Sequence, residues 1–120
     1  AGLACTAYGV ISDSINNGEV IAENIANYLS GIAGCMTGQI LNCESNGEIE
    51  QNNLYMSVTA GGITAVLETD SQFGTPLIKD CIVTGKLNIL SSLAQTGIIA
   101  YSFPQGSIVN CVGLGKLYNL

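Results

Sequence analysis

The chain has 120 residues, with three lysines and no arginine or histidine against nine acidic residues, for a net charge of −6. Nucleic acids and anionic membrane surfaces call for a basic footprint, so a nucleic-acid partner is excluded and an anionic membrane is disfavoured. Charged residues make up only 10% of the chain and hydrophobic residues 48%, yet no apolar run approaches the roughly 18 residues of a spanning helix, so membrane insertion is not expected.

In chain order, one degenerate unit recurs four times, over approximately residues 1–29, 30–59, 60–94 and 95–120. Each unit opens on a small residue, a glycine and an aliphatic residue. These are Ala1-Gly2-Leu3, Ser30-Gly31-Ile32, Gly61-Gly62-Ile63 and Thr96-Gly97-Ile98. A second block then aligns without gaps. Ile11, Ile40, Ile78 and Ile108 form one column, and Asp13, Asn42, Asp80 and Asn110 the next informative one. Ser14, Cys43, Cys81 and Cys111 follow, then Gly18, Gly47, Gly85 and Gly115, and the block closes on Val20, Ile49, Leu87 and Leu117. The polar, turn-rich stretch from Glu68 to Thr75 is the longest insert and reads as a loop leaving the third unit.

Each unit offers only short alternating runs broken by Gly, Asn and Asp, and cannot bury its aliphatic residues alone. Stacking such units at about 4.8 Å lets like residues lie on like residues and satisfies the backbone. The expected fold is therefore all-β, a parallel β-helix (β-solenoid) of four imperfect coils forming a single domain. An antiparallel sandwich or barrel with accidental self-similarity is the alternative. The glycine column is expected at a corner that needs positive φ, with the Asp/Asn column bonding along the stack at another.

The pattern Gly-Ile-x-Gly/Ala, then Ile-x-Asn-Cys, then Gly-x-Ile/Val resembles GLUG-type repeats over nearly the whole chain, best over Ser30 to Ile49. The resemblance implies a right-handed helix and an extracellular or cell-surface setting, and it implies no catalytic residues. The start at Ala1 fits a mature exported protein or an excised fragment.

Chemistry is sparse. Cys43, Cys81 and Cys111 are expected inward and unpaired, because in-register coils hold their Cβ atoms beyond disulfide reach. Cys5 aligns with Gly34 and Cys35 with Thr6, so alternation separates that pair also. Without histidine or close Cys spacing no metal site is expected, and no cofactor. Asp13 and Asp80 are the only recurrent acids. With Asn42 between them and no basic residue to stabilise developing charge, the chain reads as a non-enzyme.

Two surfaces are expected to carry function. Glu19, Glu48, Lys86 and Lys116 run acidic to basic beside the glycine corner. Stacking the last coil of one copy under the first of another would set Lys116 beside Glu19 and Asn110 beside Asp13, with Leu3, Leu117 and Leu120 closing the core. This predicts a head-to-tail homopolymer, an extracellular filament or fibre subunit. Ala33, Cys35, Val66, Ile99 and Tyr101 are expected to point outward as an apolar lateral interface. The alternative is an adhesion module of a larger surface protein, with a surface ligand or glycan as partner.

Overall fold

The computed structural model describes residues 2–22, 28–53, 57–68, 72, 75–91, 95–102, 106–115 and 117–119. Among these the structure is all-β, and every strand pairing is parallel. The first sheet holds the strands Ala4–Ser12, Ala33–Leu41, Thr64–Glu68, Leu77–Lys79, Ala100–Ser102 and Ser107–Val109. The second holds Ile15–Asn16, Glu44–Ser45, Ile82–Val83 and Val112–Gly113, and the third Val20–Ala22, Ile49–Gln51, Leu87–Ile89 and Leu117–Asn119. The fourth holds Tyr28–Ser30, Thr59–Gly61 and Gln95–Gly97. The chain visits the sheets in this order and returns to the first one strand further along.

The register follows the repeat. Ile40 lies opposite both Ile11 and Ile78, and Ile78 opposite Ile108. Val20, Ile49, Leu87 and Leu117 pair in series in the third sheet. The middle members Ile40, Ile49, Ile78 and Leu87 are fully buried, together with Met36, Ile63 and Leu67. The end members Ile11, Val20 and Ile108 only pack partly against this cluster, because each has a neighbouring repeat on one side alone. Burial therefore peaks in the two middle repeats.

The corners differ from the expectation in a way that explains their residues. Positive φ belongs to the Asp/Asn column, with Asp13 at 53°, Asn42 at 52°, Asp80 at 56° and Asn110 at 52°. Asn and Asp tolerate this left-handed region because their short side chains bond locally. The Gly18, Gly47, Gly85 and Gly115 column lies outside it and is glycine for another reason. A Cβ on Gly47 would overlap the carbonyl oxygen of Gly18, one on Gly85 that of Gly47, and one on Gly115 that of Gly85. Close approach between repeats, and not turn conformation, selects glycine here.

The next column locks the left-handed corner. The Ser14 hydroxyl donates to the carbonyl of Ser12 at 2.9 Å. The thiols of Cys43, Cys81 and Cys111 donate to the carbonyls of Leu41, Lys79 and Val109, each at 3.3 Å. Every bond spans one left-handed residue, so serine and cysteine are interchangeable there as small side chains with one donor.

The alignment of the fourth repeat slips by one residue in the fourth and first sheets. Gly97, and not Thr96, lies opposite Gly61, and Ala100 lies opposite Thr64. This places Ile99 in the inner row with Ile63 and puts Ile98 at the position of Gly62. The reason is volume. Val83 fills the space facing Gly62, whereas Gly113 stands opposite Val83 in the fourth repeat and leaves that space to Ile98, whose side chain sits against Gly113.

Candidate end-to-end interface

Three rows converge on the corner between the second and third sheets. Asn46 donates its amide to Asn17 Oδ1 at 2.9 Å and to Glu44 at 3.2 Å, and the Thr84 hydroxyl donates to Asn46 Oδ1 at 2.7 Å. Outside this row lie Glu19, Glu48 and Lys86 in successive repeats. The Val20 N–H reaches the Glu48 carbonyl at 2.9 Å and the Ile49 N–H the Lys86 carbonyl at 2.8 Å. These residues line an open groove with Gly47 and Gly85. The amide of Asn88 donates to the Glu48 carboxylate. The groove's Asn46 amide and Thr84 hydroxyl are thus bonded along the row, and the charged side chains of Glu19, Glu48 and Lys86 line it. Lys116, the last member of the expected charge column, and Leu120 lie outside the described residues.

At the left-handed corner Asn42 donates to Asp13 Oδ1 at 2.7 Å and Asn110 to Asp80 Oδ1 at 2.6 Å. Both carboxylates are held by an amide from the following repeat, which uses them as rungs of a ladder. Asp13 and Asn110 are exposed on the end repeats. Leu3 is 48% exposed, and its N–H donates to the Ile32 carbonyl at 3.1 Å. Leu117 pairs with Leu87 in the third sheet.

The expected lateral face is corrected. Ala33 is fully buried and belongs to the core, with Ala4 and Thr64 as its sheet neighbours. Cys35 is buried beside Thr6 and Val66. Val66 is half-buried, and Ile99 faces the core through the one-residue slip. The slip also sets Ser102, not Tyr101, opposite Val66. Ala33, Cys35 and Ile99 therefore do not form an exposed patch with Val66, and the Tyr101 side chain lies outside the described residues.

The exposed apolar residues lie elsewhere, and mainly on the end repeats. Tyr8, Val10, Ile15 and Ile21 of the first repeat are all exposed, as are Val109, Val112 and Leu114 of the fourth. Opposite the first four, the second repeat carries Thr37, Gln39, Glu44 and Glu50. The second repeat is polar at these four positions, and the third carries Glu68, Leu77, Ile82 and Asn88 there. Only the register reveals this, because in the sequence these residues read as ordinary alternation. The strand Ala4–Ser12, nine residues long, bonds among the described residues to Ala33–Leu41 alone, and its other edge is open.

All five cysteines are free thiols. Burial pushes the Cys81 thiol up to about 12 from an ordinary value near 9.0, and it raises Cys43 also. Burial first, and then the hydrogen bond and charge of Glu68, push Cys35 up to about 11. A raised thiol pKa contributes stability that is complete below the unfolded pKa of about 8.5 and is lost as pH rises towards the folded value. The unfolding midpoint should therefore fall between about pH 8.5 and the value of about 12 for Cys81. Cys81→Ala should flatten that slope, and an unchanged slope would remove Cys81 as its source.

No protein-family model, curated protein or solved structure matches the chain.

Proposed function

We propose that the four repeats are the coils of a right-handed parallel β-helix of GLUG type, and that the protein is a non-enzymatic extracellular structural subunit joining copies of itself end to end. The observation that carries this reading is the open edge of Ala4–Ser12 on a coil whose outer residues Tyr8, Val10, Ile15 and Ile21 are exposed and apolar. An unpaired strand edge without charged residues is a template for further strand pairing. The sequential visits to four sheets and the like-on-like columns support the helical reading. The engagement of Asp13 and Asp80 by Asn42 and Asn110 supports a structural use of the carboxylates.

Sedimentation velocity over a broad concentration range tests the assembly. The expected result is a mass that rises with concentration and a far-ultraviolet signal that stays β. A monomer at every concentration up to millimolar would overturn it.

A further inference from the structure

Three cysteines follow the left-handed residue in the second, third and fourth repeats, and the register joins them into one row. Ile78 stands opposite Ile40 and Ile82 opposite Glu44, which aligns Cys81 with Cys43. Lys79 opposite Val109 and Ile82 opposite Val112 align Cys111 with Cys81 in the same way. The Ile82 N–H donates to the Cys43 carbonyl at 3.0 Å and the Val112 N–H to the Cys81 carbonyl at 2.9 Å. The row therefore advances by one sheet spacing, about 4.8 Å, from each cysteine to the next.

The three side chains point alike. Besides its bond to the carbonyl two residues earlier, each thiol reaches a carbonyl of the preceding repeat. Cys43 reaches Ile11 at 3.8 Å, Cys81 reaches Ile40 at 3.7 Å and Cys111 reaches Ile78 at 3.6 Å. Hydrogen bonds between neighbouring thiols join Cys43 to Cys81 and Cys81 to Cys111. The corner itself has no need of sulfur, since the Ser14 hydroxyl makes the same bond in the first repeat. Cys43 and Cys81 are fully buried inside the stack, so the row does not depend on what meets the ends.

A straight row of sulfurs cannot surround an ion. Among the described residues no three potential ligands converge, which leaves no tetrahedral set of the kind zinc takes. A row does suit soft monovalent cations such as copper(I) and silver(I), which favour thiolate sulfur and bond two sulfurs in line. Such a linear sulfur–metal–sulfur unit spans close to one sheet spacing. Charge agrees as well. An uncompensated charge in this interior would be costly, and a monovalent ion that replaces one proton leaves the row neutral.

We propose that Cys43, Cys81 and Cys111 form a threaded site for soft monovalent cations of the copper(I) class, with one ion between Cys43 and Cys81 and a second between Cys81 and Cys111. Each ion displaces one thiol proton to solvent. Three sulfurs then hold two ions and keep one proton, and no sulfur changes oxidation state. Cys81 is shared by both ions.

Silver(I) in chloride-free buffer is the probe, added to the folded Cys5→Ser chain so that the exposed thiol takes no part. Exchange against a monothiol then strips ions held by a single sulfur. Native mass spectrometry should count two retained silver ions, and titration at constant pH should release two protons per chain. X-ray absorption should show two sulfur neighbours in line about each silver. Adding Cys111→Ser should leave one ion. Adding Cys81→Ser preserves the corner bond, as Ser14 does, and should leave none, because Cys43 and Cys111 then stand two spacings apart. Silver should also raise the unfolding midpoint of Cys5→Ser but not of the variant lacking Cys81. A count other than two in Cys5→Ser, an equal count without Cys81, or three or more sulfurs about each silver would overturn the site. If the Cys81 variant does not fold, the count of one in the Cys111 variant and the sulfur geometry decide.

Discussion

Alanine in place of Gly85 is expected to remove more than about 4 kcal/mol of stability, most of what a domain at the low end of ordinary stability possesses. The new Cβ would overlap the Gly47 carbonyl oxygen, a backbone atom with no freedom to yield. The surrounding backbone is held as well, for the Thr84 N–H donates to the Ser45 carbonyl at 3.0 Å and the Ile49 N–H to the Lys86 carbonyl at 2.8 Å. Relief would require parting two repeats and losing the bonds between them. Gly18→Ala provides the control. Its Cβ would make only an ordinary contact with Asn16 Oδ1, at 3.5 Å, and its φ is not left-handed, so reduced unfolded-state entropy should make the change neutral or slightly stabilising. Thermal unfolding of the two variants is the measurement. Comparable losses at Gly18 and Gly85 would show that turn conformation, and not contact between repeats, explains this column.

Ile78→Ala is the second large effect, at roughly 2–5 kcal/mol. Ile78 is fully buried between Ile40 and Ile108. Backbone ladders on both sides prevent the repeats from closing on a cavity, so the lost contacts are not recovered. Ile11→Ala removes the same atoms from the same column, but Ile11 has a neighbour on one side and is only partly buried. It should cost under about half as much, since less apolar surface returns to water. Urea unfolding of both variants would separate them, and equal midpoints would mean that position in the column does not govern burial.

What the sequence discloses here depends on whether a residue's role repeats. The columns of Ile40, Ile49 and Cys43 were legible because the alignment places each beside its equivalents, and like-on-like stacking then fixes register. Free thiols followed from the same register, with Cys5 beside Gly34 and Cys35 beside Thr6. The glycine column was located but misread. Glycine serves both positive φ and close approach, and nothing in a sequence separates the two. The slip at Gly97 was hidden because Thr96-Gly97-Ile98 imitates the opening block by one residue. The volume of Ile98 opposite Gly113 decides the pairing, and that contact crosses the core between residues 15 apart in the chain. Ala33 and Cys35 were placed outside by alternation alone, which says which way a side chain points and not what encloses it. The exposed positions of Tyr8, Val10, Ile15 and Ile21 needed the register, which sets them opposite Thr37, Gln39, Glu44 and Glu50.

One detail of the first sheet bears on how such a chain tolerates change. The strand Ala33–Leu41 is unbroken, yet its partners in the third repeat are two separate strands, Thr64–Glu68 and Leu77–Lys79, both in register with it. The first of these ends with Glu68 opposite Thr37 and the second begins with Leu77 opposite Gln39, with no shift of the columns on either side. The number of residues spent between those points is thereby uncoupled from the alignment of everything else. Lengthening a closed excursion costs only about 0.6 kcal/mol per doubling. A foreign peptide could be spliced there, and the frame on which it is displayed would keep its geometry.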